Sequence, residues 1–277
     1  MPCCGPSCGD VVEESNFKEE VMRTYVVTGA ASGIGLATVD LLVERGNTVI
    51  GVDLHDADIT ADLSTPDGRQ QLVAQVSALT GGRIDAIIAN AGLALPTAAT
   101  VAVNYYGALA TLEGLRPLLL GSPAPRAVAT ASMASLVPVD EQLELTLLEG
   151  TEKDAIELAE KLADAGGETI YSTTKRALAR WIRRHAATDD WAAAGIPLNA
   201  IAPGIIRTPM VADMIATPAG VAAMAEVVPM PLNGFADPIV CANLLAFLTS
   251  PENTHLCGQV IFVDGGSDVV IRGDSTW

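Results

Sequence analysis

Residues 28–35 read TGAASGIG, directly after a short apolar run at 24–27 and directly before a stretch with helical patterning. A glycine-rich turn joining a strand to a helix leaves few folds open. Gly29 permits the tight turn, and Gly33 and Gly35 let backbone approach a pyrophosphate. The helix start, with Ser32 and Ile34, offers free N–H groups and a partial positive charge. Such a cradle fits a dinucleotide. Ser32 is not a nucleophile, because GAASG is not a G-x-S-x-G elbow.

Short runs rich in Val and Ile recur between longer Ala/Leu-rich stretches, as in parallel strands buried on both faces and joined by crossover helices. Strands are expected at 24–27, 48–52, 58–61, 84–89, 126–131, 196–202 and 259–263. The pattern predicts an α/β fold with a doubly wound, parallel seven-stranded sheet in a single domain over 22–277, preceded by a disordered tail over 1–21. Right-handed crossovers leave a ligand crevice at the carboxyl ends of the strands, so functional residues should follow strands.

The stretch 138–167 is too long for an ordinary connection. It reads as a helical insertion with helices over 140–148 and 151–165. The second has a Thr151/Asp154 capping pattern, with Ile156, Ala159 and Leu162 on one face and Gly166 as its stop. Residues 140–168 hold ten acidic and two basic side chains, a net −8. A solvated acidic face is the plain reading. The sharper ones are a flap over the site or a blocker of a subunit interface.

The formal charge is −17, from 16 basic and 33 acidic residues, so a polyanion such as nucleic acid would be repelled. The longest charge-free stretch, 86–112, contains Asn90, Pro96 and Asn104 and suits strand, turn and helix better than a membrane span. Cys3, Cys4, Cys8, Cys241 and Cys257 show no disulfide framework, and the first 21 residues carry no secretory pattern, which points to the cytoplasm. CCGPSC has no nearby His, so no metal is assigned.

Asp53 ends the second strand in VIGVDL, where its carboxylate can accept hydrogen bonds from a ribose. A 2′-phosphate would face that carboxylate with no nearby Arg or Lys, which favours NAD over NADP; a turn or capping Asp is the alternative. Tyr171 and Lys175, in YSTTK, stand one helical turn apart on one face. Bringing a tyrosine from its usual pKa of about 10 to about 7 takes roughly 4 kcal/mol. An ammonium about 4 Å away, at an effective dielectric of about 20, supplies that order of energy. Ser132 follows the fifth strand in ATASMAS, where its hydroxyl can bond a reacting oxygen. Asn90, Ala91 and Gly92 follow the fourth strand in ANAG, Asn104 sits in the next helix, and Pro203, Gly204 and Thr208 follow the sixth strand in APGIIRTP.

Together these motifs resemble the short-chain dehydrogenase/reductase family, over Thr24 to about Gly266. The resemblance implies that Tyr171 is the acid/base, that Lys175 binds the nicotinamide ribose and lowers the tyrosine pKa, that Ser132 orients substrate and that Asn104 supports a proton relay. It further implies that Asp62 and Leu63 flank adenine, that Asn90 to Gly92 line the cofactor, and that the Ile206 backbone with Thr208 holds the carboxamide. Two features depart from the family pattern: the 39 positions from Ser132 to Tyr171, and Ala89 where a second Asn is frequent. The long insert, with GVDLHDADITADLSTPDGR, looks like the bacterial 3α-hydroxysteroid dehydrogenase/carbonyl reductase branch.

In the place of the family's substrate-covering loop, Met210, Met214, Met224 and Met230 stand among Val, Ala and Ile. Met210 and Met214 are taken as substrate contacts suited to a bulky apolar cyclic alcohol or ketone, such as a hydroxysteroid or a cyclic terpene alcohol. Because the insert adjoins the helix bearing Tyr171, a homodimer is expected in place of the family's usual homotetramer. The competing readings are a non-catalytic NAD(H)-binding sensor or scaffold, and a sugar-nucleotide epimerase, which the lack of a C-terminal substrate domain and the turn's G-x-x-x-G spacing disfavour.

Overall fold

The computed structural model describes Met1 and residues 22–275. The expected tail over 1–21, with Cys3, Cys4 and Cys8, lies outside the described residues but for Met1. The first half of the chain runs β1 (Thr24–Thr28), α1 (Gly33–Glu44), β2 (Thr48–Asp53), β3 (Ile59–Thr60), α2 (Pro66–Thr80), β4 (Ala86–Ala89), α3 (Ala98–Val101), a π-helical turn (Ala102–Gly107), α4 (Ala108–Leu119) and β5 (Arg126–Thr130). A 3₁₀ turn (Met133–Leu136), α5 (Glu141–Glu149), α6 (Glu152–Asp164), α7 (Ile170–His185) and β6 (Leu198–Pro203) follow. A second 3₁₀ turn (Pro209–Val211), α8 (Pro218–Val227), α9 (Pro238–Leu248), β7 (Val260–Val263) and α10 (Ser267–Arg272) complete it.

All seven strands form one parallel sheet in the order β3-β2-β1-β4-β5-β6-β7. The central strands are apolar on both faces because both faces are covered. Val26, Ile87 and Ala129 pack with Leu72, Leu112 and Leu178 on one side, while Tyr25, Val27, Ile88 and Val128 pack with Leu42, Cys241 and Leu245 on the other. The order in which strands are added reverses between β1, which leads outward to β2, and β4, which leads to β5 on the other side. At this switch point the loops after β1 and β4 diverge and open a crevice.

The strand expected over 58–61 shortens to Ile59–Thr60, because the Asp58 carboxylate accepts from the Gly51 N–H at 2.8 Å and so leaves the ladder. The strand expected from Ile196 starts at Leu198, after Pro197. Proline can give the ladder a carbonyl but no N–H, and the Pro197 carbonyl does accept from Ala127 at 3.0 Å.

The insertion is two helices. Asp140 caps α5 by accepting from the Leu143 N–H at 2.7 Å, and Thr151 caps α6 by accepting from Asp154 at 3.2 Å. Against the core, including α7, α5 buries Leu143 and Leu147, at about 2 kcal/mol each. Its acidic side is only partly solvated. Arg69 of α2 pairs with Glu152 at 2.6 Å, and Arg180 and Arg184 of α7 pair with Glu144 and Glu149 at 3.1 and 3.6 Å.

Candidate active site

A cavity of about 720 Å³ opens at the carboxyl ends of β1, β4, β5 and β6. One end is the glycine turn. A Cβ on Gly35 would overlap the Gly29 carbonyl oxygen, and one on Gly29 would stand 2.9 Å from the Ala91 Cα, so strand, turn and helix pack at backbone distance. Gly29 and Gly33 also hold left-handed φ of 71° and 53°, which other residues adopt only under strain. Ser32, Gly33 and Ile34 face the cavity; Gly35 packs beneath it. Next along the wall, the Asp53 carboxylate accepts from the Ala31 and Leu54 N–H groups at 2.9 and 2.7 Å, so its direction is fixed. Asp62 is exposed and Leu63 is buried at the same end. The charged side chains lining the cavity are Asp53, Asp62 and Lys175.

The floor is held by Asn90. Its side chain donates to the Thr28 carbonyl at 3.2 Å and accepts from the Thr130 hydroxyl at 3.0 Å, and its N–H and that of Ala91 donate to the Thr28 hydroxyl at 3.0 and 3.1 Å. These bonds lock the ends of β1, β4 and β5 together. Gly92 continues the wall; a Cβ there would crowd Lys175 Nζ at 3.3 Å. On the far side lie Pro203, Gly204, Ile206 and Thr208. Ile206 bridges Ala236 through the backbone of its two neighbours, so its own N–H is free of that bridge, and the Thr208 methyl lies within 3.0 Å of where a Gly33 Cβ would stand.

Tyr171, Lys175 and Ser132 meet in the middle of the cavity. Lys175 donates to the Thr130 carbonyl at 2.8 Å, and its Nζ lies 5.8 Å from the centre of the Tyr171 ring. Ser132 accepts from the Ala134 N–H at 3.1 Å, which fixes its hydroxyl at the head of the 3₁₀ turn. Burial is the main influence on both ionisable groups. It raises Tyr171 above its ordinary value, with a hydrogen bond from Ser132 acting the other way, and it draws Lys175 down to about 8. The lowering of Tyr171 expected from Lys175 is thus absent in the protein alone, where desolvation dominates.

Asn104 stands behind the wall. It is fully buried in the π-helical turn, and its side chain donates to the Leu93 carbonyl at 2.9 Å and to the Thr174 hydroxyl at 3.2 Å while accepting from the Leu93 N–H at 2.7 Å. π-helical turns of this kind are frequent at functional sites. Both amide hydrogens are therefore committed to protein partners.

Beyond Tyr171 the wall is apolar. Met210 and Met214 line it, each 44% exposed, as does Met224. Met230 does not: its sulfur accepts from the Ile205 N–H at 3.2 Å, packed under Gly204 and Gly265. Leu93, Ala94, Met133, Val211 and Val228 complete the wall and were not singled out in the sequence, where an apolar neighbour of a motif reads the same as core. Only adjacency offers a signal, Met133 following Ser132 and Leu93 following Gly92. No residue of 138–167 lines the cavity, so the flap reading has no support. Among the described residues no cluster suits a metal, and no helix is long and apolar enough to cross a membrane.

Comparison with known proteins agrees with this fold. The short chain dehydrogenase profile matches residues 23–144 and the enoyl-(acyl carrier protein) reductase profile matches 155–268. The chain is 37% identical to 3-alpha-hydroxysteroid dehydrogenase/carbonyl reductase of Comamonas testosteroni, over 91% of this chain and 98% of that protein. It is 32% identical to cis-4-hydroxycyclohexanecarboxylate dehydrogenase of Sinomonas cyclohexanicum, over 90% and 97%. The crystal structure of the 3-alpha-hydroxysteroid dehydrogenase from Pseudomonas sp. B-0831 complexed with NADH superposes with a TM-score of 0.82 at 38% identity, covering 91% of this chain and 99% of that one. With the glycine turn, the serine, the tyrosine and the lysine gathered around one crevice in a fold shared along nearly the whole chain, the protein belongs to the short-chain dehydrogenase/reductase family of oxidoreductases.

Proposed function

We propose that the protein interconverts a secondary alcohol and a ketone on a bulky apolar cyclic substrate, using NAD(H) in preference to NADP(H). The observation that carries this reading is the single cavity in which Ser132 and Tyr171 stand between a dinucleotide cradle and a methionine-rich wall. The residues present fit a dinucleotide. The cradle admits backbone-close approach, Asp53 has a fixed carboxylate for ribose hydroxyls, and among the described residues no cation lines the cavity beside Asp53 to offset a 2′-phosphate. Bound nicotinamide supplies hydride acceptance from the carbinol carbon in one direction and hydride donation in the other.

The protein's own groups handle the proton and the geometry. In oxidation, Tyr171 Oη takes the hydroxyl proton as the C–H electron pair leaves, and the carbonyl forms; in reduction, Tyr171 Oη returns it. The single Ser132 Oγ–H bonds the phenolate before substrate enters and turns to the reacting oxygen once it is bound. Lys175, held by the Thr130 carbonyl, bonds the ribose and keeps positive charge beside the phenolate. Asn104 contributes through what it orients: the Leu93 backbone and, through Thr174, the first turns of α7. The apolar wall holds the ring system and excludes water. A non-catalytic sensor role has no observation in its favour.

The test is purified protein with NAD or NADP against steroid, monoterpene and simple alicyclic alcohols, followed by reduced-cofactor absorbance. NADH formation with one structural class is the expected outcome; tight NADH binding without turnover on any of them would overturn the reading.

Two further outcomes are expected. Asp53→Ala removes a charge-assisted contact of about 1.5–3 kcal/mol, so KM for NAD rises about 10- to 100-fold while KM for NADP falls or holds. A rise common to both would remove Asp53 as the discriminating group. In solution the protein is a homodimer formed through a surface other than α7, whose flank α5 and α6 occupy. Light scattering that finds a tetramer, unchanged when residues 140–166 are replaced by a short linker, would overturn that assembly.

A further inference from the structure

We propose that Arg176, which nothing above assigns to the chemistry, is a positioning residue that holds Ser132 against Tyr171. It follows Lys175 directly on α7, but its side chain leaves the cavity and reaches the far end of the 3₁₀ turn that Ser132 opens. Its Nε donates to the Ser135 carbonyl at 2.7 Å and its Nη2 donates to the Val137 carbonyl at 2.8 Å. The first is a carbonyl in the last residues of Met133–Leu136 and the second belongs to the residue that caps the turn, positions that so short a turn leaves without internal partners. A guanidinium meets two such acceptors with a planar fork, whereas an ammonium meets them as a point.

The turn is thus fixed at both ends, by the Ser132 hydroxyl accepting from Ala134 at its head and by Arg176 at its tail. The need for this arises in the insertion. The chain leaves for α5 and α6 at 138 and returns at Thr169, so the short covalent tether that would otherwise relate Ser132 to Tyr171 is missing. Noncovalent bolts from the first turns of α7 stand in its place. Ser172 donates to the Pro138 carbonyl at 2.7 Å, Thr173 accepts from the Asp140 N–H at 3.0 Å, and Arg176 adds the two bonds nearest Ser132. Arg176 is the only one of the three that grips the 3₁₀ turn itself. The ionisable side chains sharing the cavity with Tyr171 are Lys175, Asp53 and Asp62, and none of them contacts Arg176 through a hydrogen bond or ion pair among the described residues.

The kinetic arm rests on the proposed dehydrogenase reading; the spectroscopic arm does not. Arg176→Ala, Ser132→Ala and the double variant are compared with wild type, using NAD and cyclohexanol. Arg176→Ala is expected to lower kcat about 10- to 100-fold, as a displacement of about 1 Å does, with KM for NAD and NADH affinity unchanged. The double variant is expected to be no worse than Ser132→Ala, because both act through one hydroxyl. Arg176→Lys, which keeps the charge but loses the fork, falls between wild type and Ala. Independently of turnover, the tyrosinate difference absorption that disappears in Tyr171→Phe is expected to titrate at higher pH in Arg176→Ala, in the direction Ser132→Ala also moves it. Losses that multiply in the double variant, or a Tyr171 midpoint unmoved in Arg176→Ala, would overturn the assignment. If wild type turns over none of the alcohols, the functional reading fails while the Tyr171 midpoint still decides the role of Arg176.

Discussion

Replacing Tyr171 by Phe is expected to lower turnover by about 10³-fold or more while leaving NADH affinity and the melting temperature close to wild type. The substitution removes one oxygen from a ring that keeps its place on α7, so packing is conserved and only the proton carrier is lost. Ser132 and Lys175 cannot substitute. The Ser132 hydroxyl has far too high a pKa to act as the base, and Lys175 is turned to the Thr130 carbonyl. A variant retaining a tenth of wild-type turnover would show that the proton leaves by another route.

The second large effect is expected from Gly35→Ala. Most glycine-to-alanine changes in a helix stabilise it, but here the added methyl would overlap the Gly29 carbonyl oxygen and stand 2.9 Å from the Asn90 side-chain nitrogen. Neither neighbour can swing away. Gly29 is backbone, and Asn90 holds three strand ends. Helix α1 must therefore lift from β1, at a cost of about 3 kcal/mol and a fall of roughly 6–12 °C in Tm. NADH binding, followed by its fluorescence, is expected to be lost with it. Gly121→Ala serves as control, because its methyl would meet only the Arg83 side chain at 3.5 Å. Equal melting temperatures for the two variants would mean that the turn is not closely packed.

Much of this was legible in the sequence. Strands such as Ala86–Ala89 announce themselves because a strand covered on both faces must be continuously apolar, and the caps of α5 and α6 sit at Asp140 and Thr151 because those side chains satisfy otherwise free N–H groups. The tyrosine, lysine and serine could be placed because each follows a strand or opens a helix at the sheet's carboxyl edge. What could not be read depends on distance in space. Nothing in the string separates Met230, spent on the Ile205 N–H, from Met214, which lines the cavity. Nothing marks Arg176 apart from the other arginines of α7, since its two acceptors are main-chain carbonyls about 40 residues away in sequence. Most of the insertion's acidic residues are exposed, as a solvated face requires; what the string hides is that Glu144, Glu149 and Glu152 meet arginines from α7 and α2.

The reversal of strand order between β1 and β4 also governs how the chain is born. β1 is synthesised first, yet one of its two edges stays open until β4 emerges, about 60 residues later, which on the ribosome is an interval on the order of 3–12 s. During that interval an apolar strand with unpaired amides is available to any other nascent chain. Overproduction at a slower rate of translation, or with a chaperone that shields extended apolar segments, therefore addresses the step at which this fold is most exposed.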